Sequence, residues 1–238
     1  MFLVSVLAFN SFLLNTFTIE EKENDKCLEQ TFSKIYEKKI WGQRGPSLSG
    51  FGSTYENTKA IRKILPSLCK KYDVQTIVDL GCGDFYWMKF LKLELNIQNY
   101  YGIDIVDSVV QVNKEKYEDD KYKFIKLDCT QTLVPKADLV LCRDVFVHLP
   151  YQYIFKALRL LKKSGCKYIL MTTFVNRNNK NIVPGNYRTL DFMKEPFNFP
   201  YPKELINEEF YGFDQRYTDK SLGLWKLDDL LLENQEQE

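Results

Sequence analysis

The sequence predicts an α/β fold: a doubly wound, mostly parallel seven-stranded sheet that ends in an antiparallel C-terminal hairpin. Three observations lead there. Near-continuous apolar runs alternate with helix-like stretches from residue 76 to residue 173, as expected of parallel strands covered on both faces. A tight glycine-bearing turn, Gly81-Cys82-Gly83, follows the first of these runs at once. After Thr173 the alternation stops, and two further strand-like runs, Leu205 to Glu208 and Ser221 to Leu227, read as an antiparallel pair.

The elements follow in order. Residues 1–18 are apolar, interrupted by Asn10, Ser11 and Asn15, and the chain turns abruptly charged from Glu20. That length suits a signal-peptide core or a marginal membrane span. The stretch lacks a basic leader and Thr16-Phe17-Thr18 is a poor cleavage site, so it reads equally as an amphipathic helix docked on the domain. Membrane association through residues 1–18 is therefore one of two expectations. Residues 1–26 form this segment and a charged linker, residues 27–232 the main domain with its N-terminal helical and loop cap, and residues 233–238 a polar tail. A helix is expected over Leu28 to Lys39, then a loop from Trp41 to Gly52 carrying four glycines and a proline. Ser53-Thr54-Tyr55-Glu56 reads as a capping box for a helix to about Tyr72, with Ile61, Ile64, Leu65 and Leu68 on one face.

Strands are expected at Thr76 to Leu80, Tyr100 to Asp104, Tyr122 to Leu127, Ala137 to Cys142 and Tyr168 to Thr173. Helices are expected at Phe85 to Leu93, Ser108 to Tyr117 and Tyr151 to Lys163. Such sheets bind ligands beyond the carboxyl ends of their strands. Asp79, Asp104, Asp128 and Asp144 all fall at those ends, so four carboxylates share one rim.

Composition narrows the function. With 238 residues, 45% hydrophobic and 27% charged, the chain can bury a full core. A net charge of +1 gives no basic excess for a nucleic-acid partner, and none is expected. Six cysteines without a C-x-x-C pair, and a single histidine, make no zinc pattern, so no metal is expected. Cysteines at strand ends read as small buried residues of a reduced protein, and no N-x-S/T sequon occurs, which together favour a cytoplasmic location.

The glycine turn points to a nucleoside-bearing cofactor. Glycines let the backbone approach a ligand, and Asp104, 21 residues past Gly83, can accept both hydroxyls of a ribose. A nicotinamide or flavin site wants G-x-G-x-x-G, but Tyr86 occupies the third position and Phe85-Tyr86-Trp87 leaves poor room for a pyrophosphate. S-adenosylmethionine carries no phosphate, and its sulfonium tolerates aromatic and acidic neighbours.

Asp79-Leu80-Gly81-Cys82-Gly83 resembles the D/E-x-G-x-G signature of class I S-adenosylmethionine-dependent methyltransferases, and the resemblance spans roughly Ser53 to Leu227. It includes Asp104, the Leu127-Asp128-Cys129 segment and the run from Leu141 to Leu149, and it departs at Phe85, where many members carry a third glycine. Trp41-Gly42, Ser49-Gly50, Gly52-Ser53 and Ser221-Leu222-Gly223-Leu224-Trp225 are similar to a little-characterised, small-molecule-type group of these enzymes. The resemblance implies a Rossmann-like methyltransferase fold with S-adenosyl-L-methionine as cofactor. It implies that the backbone of Gly81, Cys82 and Gly83 lies against the methionine portion and that Asp79 orients its ammonium group. Asp104 would bind the ribose, Asp128 would accept from the adenine amino group, and Ile105 and Cys129 would pack nearby. Arg143 joins this rim, as a grip for an acidic acceptor or as the partner of a neighbouring acid.

Methyl transfer needs a base only when the acceptor is a hydroxyl or a protonated amine. Asp144 and His148, four residues apart past the fourth strand, are the candidates. The Trp41 to Gly52 loop, with Trp41 and Ser49, and the Asn176 to Tyr201 segment, with Arg177, Tyr187 and Arg188, form the expected acceptor side. The N-P-P-Y type of sequence that grips a flipped base is absent after the fourth strand, as is a Pro-Cys nucleophile. A small-molecule or saccharide acceptor is thus expected, against the alternatives of a catalytically idle binding module, a nucleic-acid methyltransferase and a nicotinamide oxidoreductase.

Overall fold

A computed structural model describes residues 28–210 and 215–232. The apolar segment 1–18, the linker after it and the tail 233–238 lie outside the described residues. The described residues begin with helix α1 (28–37), followed by short 3-10 turns at Gly42–Arg44 and Phe51–Ser53. Helices α2 (Lys59–Lys71), α3 (Asp107–Tyr117) and α4 (Tyr151–Lys163) alternate with strands β1 (Thr76–Leu80), β2 (Asn99–Asp104), β3 (Tyr122–Lys126), β4 (Leu139–Cys142) and β5 (Tyr168–Phe174). Strands β6 (Glu204–Asn207) and β7 (Lys220–Lys226) complete a seven-stranded sheet of order β3-β2-β1-β4-β5-β7-β6. The pairings from β3 to β5 are parallel, whereas β7 runs antiparallel between β5 and β6. This is the doubly wound sheet with an antiparallel C-terminal pair that the alternation of apolar runs predicts.

Both faces of the sheet are covered, which is why the central strands read as unbroken apolar runs. On one face Val78, Leu80, Val140, Cys142, Ile169 and Met171 pack under α4, with Leu28 of α1 and the Leu190–Phe199 aromatic segment beside them. On the other, Ile77, Leu139, Leu141 and Leu170 pack under α2 and the chain following the glycine turn. Among the described residues no helix is long and apolar enough to cross a membrane.

Two expected elements differ. The capping box does not form: Ser53 ends a 3-10 turn, and α2 starts only at Lys59. Thr54 instead closes the turn ahead of the helix, its hydroxyl accepting from the Asn57 amide at 3.4 Å and from its side chain at 3.0 Å, and the residue at the N-cap of α2, Thr58, makes no side-chain capping bond. The expected helix over Phe85 to Leu93 shrinks to the 3-10 turn Met88–Leu91. Its cause is Phe85, which has a positive φ of 55° and is fully buried. Its ring lies 5.1 to 6.0 Å from the rings of Tyr100, Tyr117, Tyr122 and Phe124. Aromatic burial thus bends the backbone inward where helix propensity alone would have continued it.

The same contacts explain the absence of a third glycine. Phe85→Ala is expected to cost about 3–5 kcal/mol by leaving a cavity in this cluster. In a thermal melt that is a fall of roughly 6–20 °C for a domain of this size; a fall under about 3 °C would contradict the packing argument.

Candidate functional site

The order of the sheet reverses between β1 and β4, and chains leaving the two strands part there to open a crevice. A cavity of about 500 Å³ occupies it. Asp79 to Gly83 line its floor, Asp104 to Val106 and Leu127 to Thr130 one side, and Arg143, Asp144, Val145, His148 and Lys220 the other. Leu28, Phe32 and Tyr36 of α1 roof it, with Trp41 and the Ser49 to Ser53 loop.

The glycine turn is tightly determined. Gly81 and Gly83 have φ of +62° and +55°, a region costly for side chains with a Cβ. A Cβ on Gly81 would sit 2.6 Å from Val145, and one on Gly83 only 2.1 Å from the Ser49 hydroxyl. The amide of Gly83 donates to Asp104 Oδ2 and that of Val106 to Oδ1, both at 3.0 Å. Asp104 is therefore held at the rim with its lone pairs only partly used. Burial raises its pKa, an effect these backbone amides oppose.

Asp79 is buried, and the Tyr100 hydroxyl donates to its Oδ2 at 2.5 Å. Burial pushes its pKa up to about 7, against the lowering effect of that bond. Asp128 Oδ1 accepts from the amide and hydroxyl of Thr130 at 2.8 and 2.7 Å. Beside it the half-buried Cys129 thiol is pushed up to about 12 by burial, so it is an apolar wall and not a nucleophile. Ile105 and Cys82 also line the cavity. Every cofactor-side residue expected from the sequence is thus drawn to one crevice.

Asp84 was not among those expectations, and it organises the loop above. Its carboxylate accepts from the Ser47 hydroxyl at 3.0 Å, the Leu48 amide at 2.7 Å and the Ser49 hydroxyl at 3.1 Å. In return the Asp84 amide donates to Ser49 Oγ at 2.8 Å. The glycine-rich loop is clasped to the glycine turn, and Ser47 is fully buried by it. The sequence signal was an acid directly after Gly83 and two serines in the loop, but no local spacing joins positions 35 apart.

On the far side, Arg143 and Asp144 meet two residues that sequence reasoning missed, Glu208 and Lys220. Arg143 Nε lies 2.6 Å from Glu208 Oε1, and Nη1 lies 3.3 Å from Asp144 Oδ2. Lys220 Nζ lies 2.6 Å from Asp144 Oδ2 and 3.1 Å from Glu208 Oε2. Arg143, Glu208 and Lys220 are buried, so two cations and two anions neutralise each other in the wall. Asp144 has a φ of +58°, and its amide donates to the Thr172 hydroxyl at 2.8 Å. Burial would raise its pKa, but Lys220 and Arg143 outweigh that and hold the carboxyl well below the usual range. Arg143 is fully engaged as an ion-pair partner.

His148 is half-buried, with Trp41 against its ring at 4.5 Å and 30° and Tyr187 at 5.7 Å. Its Nδ1 lies 3.0 Å from the carbonyl oxygen of Asn186. A carbonyl only accepts, so Nδ1 carries the proton, and in the neutral ring Nε2 holds a lone pair. Burial lowers the His148 pKa; the Asn186 carbonyl and Asp144 oppose that, while Arg188 and Lys220 add to it. Tyr187 and Trp41 line the cavity with it. Two expected acceptor-side residues are not brought there. Arg177 pairs with Asp219 at 2.6 Å and donates to the Arg216 carbonyl. Arg188 is buried and spends its guanidinium on the carbonyls of Phe146, Leu149 and Lys180. Among the described residues no cluster of His, Cys, Asp or Glu could hold a metal ion.

Two outcomes follow from this geometry. Asp84→Ala removes the acceptor of the Leu48 amide, so hydrogen exchange across residues 47–50 should speed at least tenfold while exchange in β1 is unchanged; unchanged loop protection would show the clasp to be incidental. Asp79 is protonated in the folded state at pH values where the unfolded chain has released that proton. Its contribution to stability therefore falls as pH rises from about 4 to about 7. In the ligand-free protein Asp79→Asn should flatten that decline in a denaturation series, and an unaltered slope would place the carboxyl's pKa in the ordinary range.

Comparison with known proteins bears on this site. Residues 78–169 match a family described as "Methyltransferase domain". An uncharacterized protein of Methanocaldococcus jannaschii, MJ0906, is 25% identical over 153 residues, which cover 61% of this chain and 37% of that one. Among solved structures, magnesium protoporphyrin IX methyltransferase from Synechocystis PCC 6803, with bound SAM, superposes with a TM-score of 0.54 at 14% identity. That match covers 84% of this chain and 95% of the other. The methyltransferase domain of bacterial CtHen1-CN superposes with a TM-score of 0.52 at 13% identity, covering 71% and 98%. At these identities the two structures share the fold.

Proposed function

We propose that this chain, whose residues 78–169 match a methyltransferase domain, transfers a methyl group from S-adenosylmethionine to a small-molecule or saccharide hydroxyl, or to an amine. The observation that carries the reading is the Asp104 carboxylate, fastened to the Gly83 amide at 3.0 Å on the rim of a cavity at the sheet's switch point. The donor set suits S-adenosylmethionine. Asp104 offers lone pairs to a ribose diol, and Asp128 offers Oδ2 to an adenine amino group. Ile105 and Cys129 supply apolar walls, and Asp79 faces the region of the ammonium group. The turn offers close backbone approach and no helix N-terminus for a pyrophosphate, since the chain after it bends under Phe85.

When bound, the cofactor supplies an electrophilic methyl on a sulfonium whose leaving group is a neutral thioether. The chain's own contribution is placement and proton removal. His148 suits the base: its Nδ1 is committed to the Asn186 carbonyl, leaving the Nε2 lone pair. Asp144 is less suited, because Lys220 and Arg143 stabilise its ionised form and make it a weak proton acceptor. It serves the site by holding Lys220 and the β4 turn.

Titration calorimetry should show S-adenosylmethionine binding, weakened at least tenfold by Asp104→Ala; no heat at millimolar cofactor would end the reading. A catalytically idle module would bind cofactor yet show no single turnover with any acceptor. With a turned-over acceptor in hand, the single-turnover rate should rise with pH to a plateau, the midpoint of the rise falling below about pH 6.5, the ordinary imidazole value. The groups facing His148 are Asp144, Arg188, Lys220 and the Asn186 carbonyl, and burial dominates over them. His148→Ala should lower the plateau by roughly 10²-fold or more.

A further inference from the structure

Among the described residues, the acceptor half of the cavity is built from rings and carries no unspent charge. Trp41, His148, Tyr187 and Tyr217 form a continuous series, with successive ring centres 4.5, 5.7 and 5.7 Å apart. Phe51 and Phe210 add an edge-to-face pair at 6.3 Å, and all six rings line the same cavity. The charged side chains there, Arg143, Asp144 and Lys220, are compensated with Glu208 at 2.6 to 3.3 Å. A charged acceptor would have to break one of those pairs to gain a partner, a loss that buried pairs resist. A polyhydroxylated acceptor would find only the Tyr187 and Tyr217 hydroxyls, the Trp41 indole N–H and His148 as hydrogen-bonding groups among these rings, and its remaining hydroxyls would face aromatic carbon. A flat, neutral, aromatic acceptor meets neither cost and gains ring contacts.

We propose, resting on the methyltransferase reading above, that the acceptor is a neutral aromatic hydroxyl compound, a phenol, seated among Trp41, Tyr187 and Tyr217 with its oxygen toward His148. The phenol's proton passes to Nε2 of His148 as the new O–CH3 bond forms; the pair of the broken C–S bond stays on sulfur, and the imidazolium returns its proton to solvent. The chemistry of the base agrees with the walls. Passing a proton from a phenol of pKa near 10 to an imidazole near 6.5 is uphill by about three to four powers of ten. From an alcohol, near the 15.7 of water, it is uphill by about nine. A lone imidazole is therefore matched to the aromatic hydroxyl and poorly matched to a sugar.

The test uses the full chain and two readouts. First, 2-naphthol, 4-methoxyphenol, 4-hydroxybenzoate and methyl β-glucoside are titrated calorimetrically into protein saturated with S-adenosylhomocysteine. Second, each is offered with S-adenosylmethionine, and the O-methyl product is followed by mass spectrometry. The expected result is binding and methylation of the two neutral phenols, with kcat/KM at least tenfold above that for the anionic 4-hydroxybenzoate and for the glucoside. Tyr187→Ala and Tyr217→Ala should raise KM for 2-naphthol about tenfold while the Kd for S-adenosylmethionine is unchanged. Methylation of the glucoside in preference to the phenols, or no binding of either neutral phenol to the loaded protein, overturns the proposal. Both results leave the methyltransferase reading standing, because cofactor binding is measured separately; failure of the cofactor itself to bind would end both.

Discussion

The close approach of β1 and β4 at the point where the sheet reverses direction is the constraint on which the site depends. Their exits must part over a turn with almost no volume to spare. Gly81 lies against Val145 with no room for a Cβ, and Gly83 lies equally close to Ser49. From this packing the turn presents its backbone to the cavity, sets the Gly83 amide on Asp104, and puts Asp84 where the loop above can be clasped. The glycines are thus required by neighbouring protein atoms, with approach of a ligand as the consequence.

The crevice divides electrostatically. On the proposed cofactor side, carboxylates are held at the rim by backbone amides and hydroxyls, which orient them without neutralising their charge. On the opposite, proposed acceptor side, charge is cancelled inside the wall by the Arg143, Asp144, Glu208 and Lys220 cluster. This cluster joins the end of β4 to the β6–β7 hairpin, so the two antiparallel strands are part of the site as well as of the sheet. Removing one partner from such a group generally costs about 3–5 kcal/mol, because it strands a buried charge. The ion pairs therefore fix the wall's shape more than they add net stability. The aromatic series from Trp41 to Tyr217 then supplies the surface that the proposed acceptor would meet.

A roof completes the enclosure. Leu28 packs into the core beneath α4, with Phe32 against the same cluster, while Tyr36 of the same helix lines the cavity. The loop from Trp41 to Ser53 is tied at Ser47, Leu48 and Ser49 to Asp84, and at Trp41 to His148 by ring contact. The proposed base and the acceptor wall consequently depend on a loop whose own position is set from the cofactor turn.

Much of this was legible in the sequence. Periodicity determined the strands, because residues buried on both faces must be apolar and the chain has to leave the sheet between them. The glycine turn and the acids Asp79, Asp104 and Asp128 were readable because they are local to strand ends, and strand ends of a parallel sheet lie together. Phe85 was legible as a departure from glycine, but its effect on the following helix was not, since it arises from rings on β2, α3 and β3. Arg177 and Arg188 looked like acceptor ligands by type, yet one is spent on Asp219 and the other on backbone carbonyls. Glu208, Lys220 and the Asp84 clasp were decided only by the tertiary structure: Asp84 meets Ser49 across 35 residues, Glu208 meets Arg143 across 65 and Lys220 meets Asp144 across 76, and no periodicity or spacing along the chain encodes which buried charge meets which.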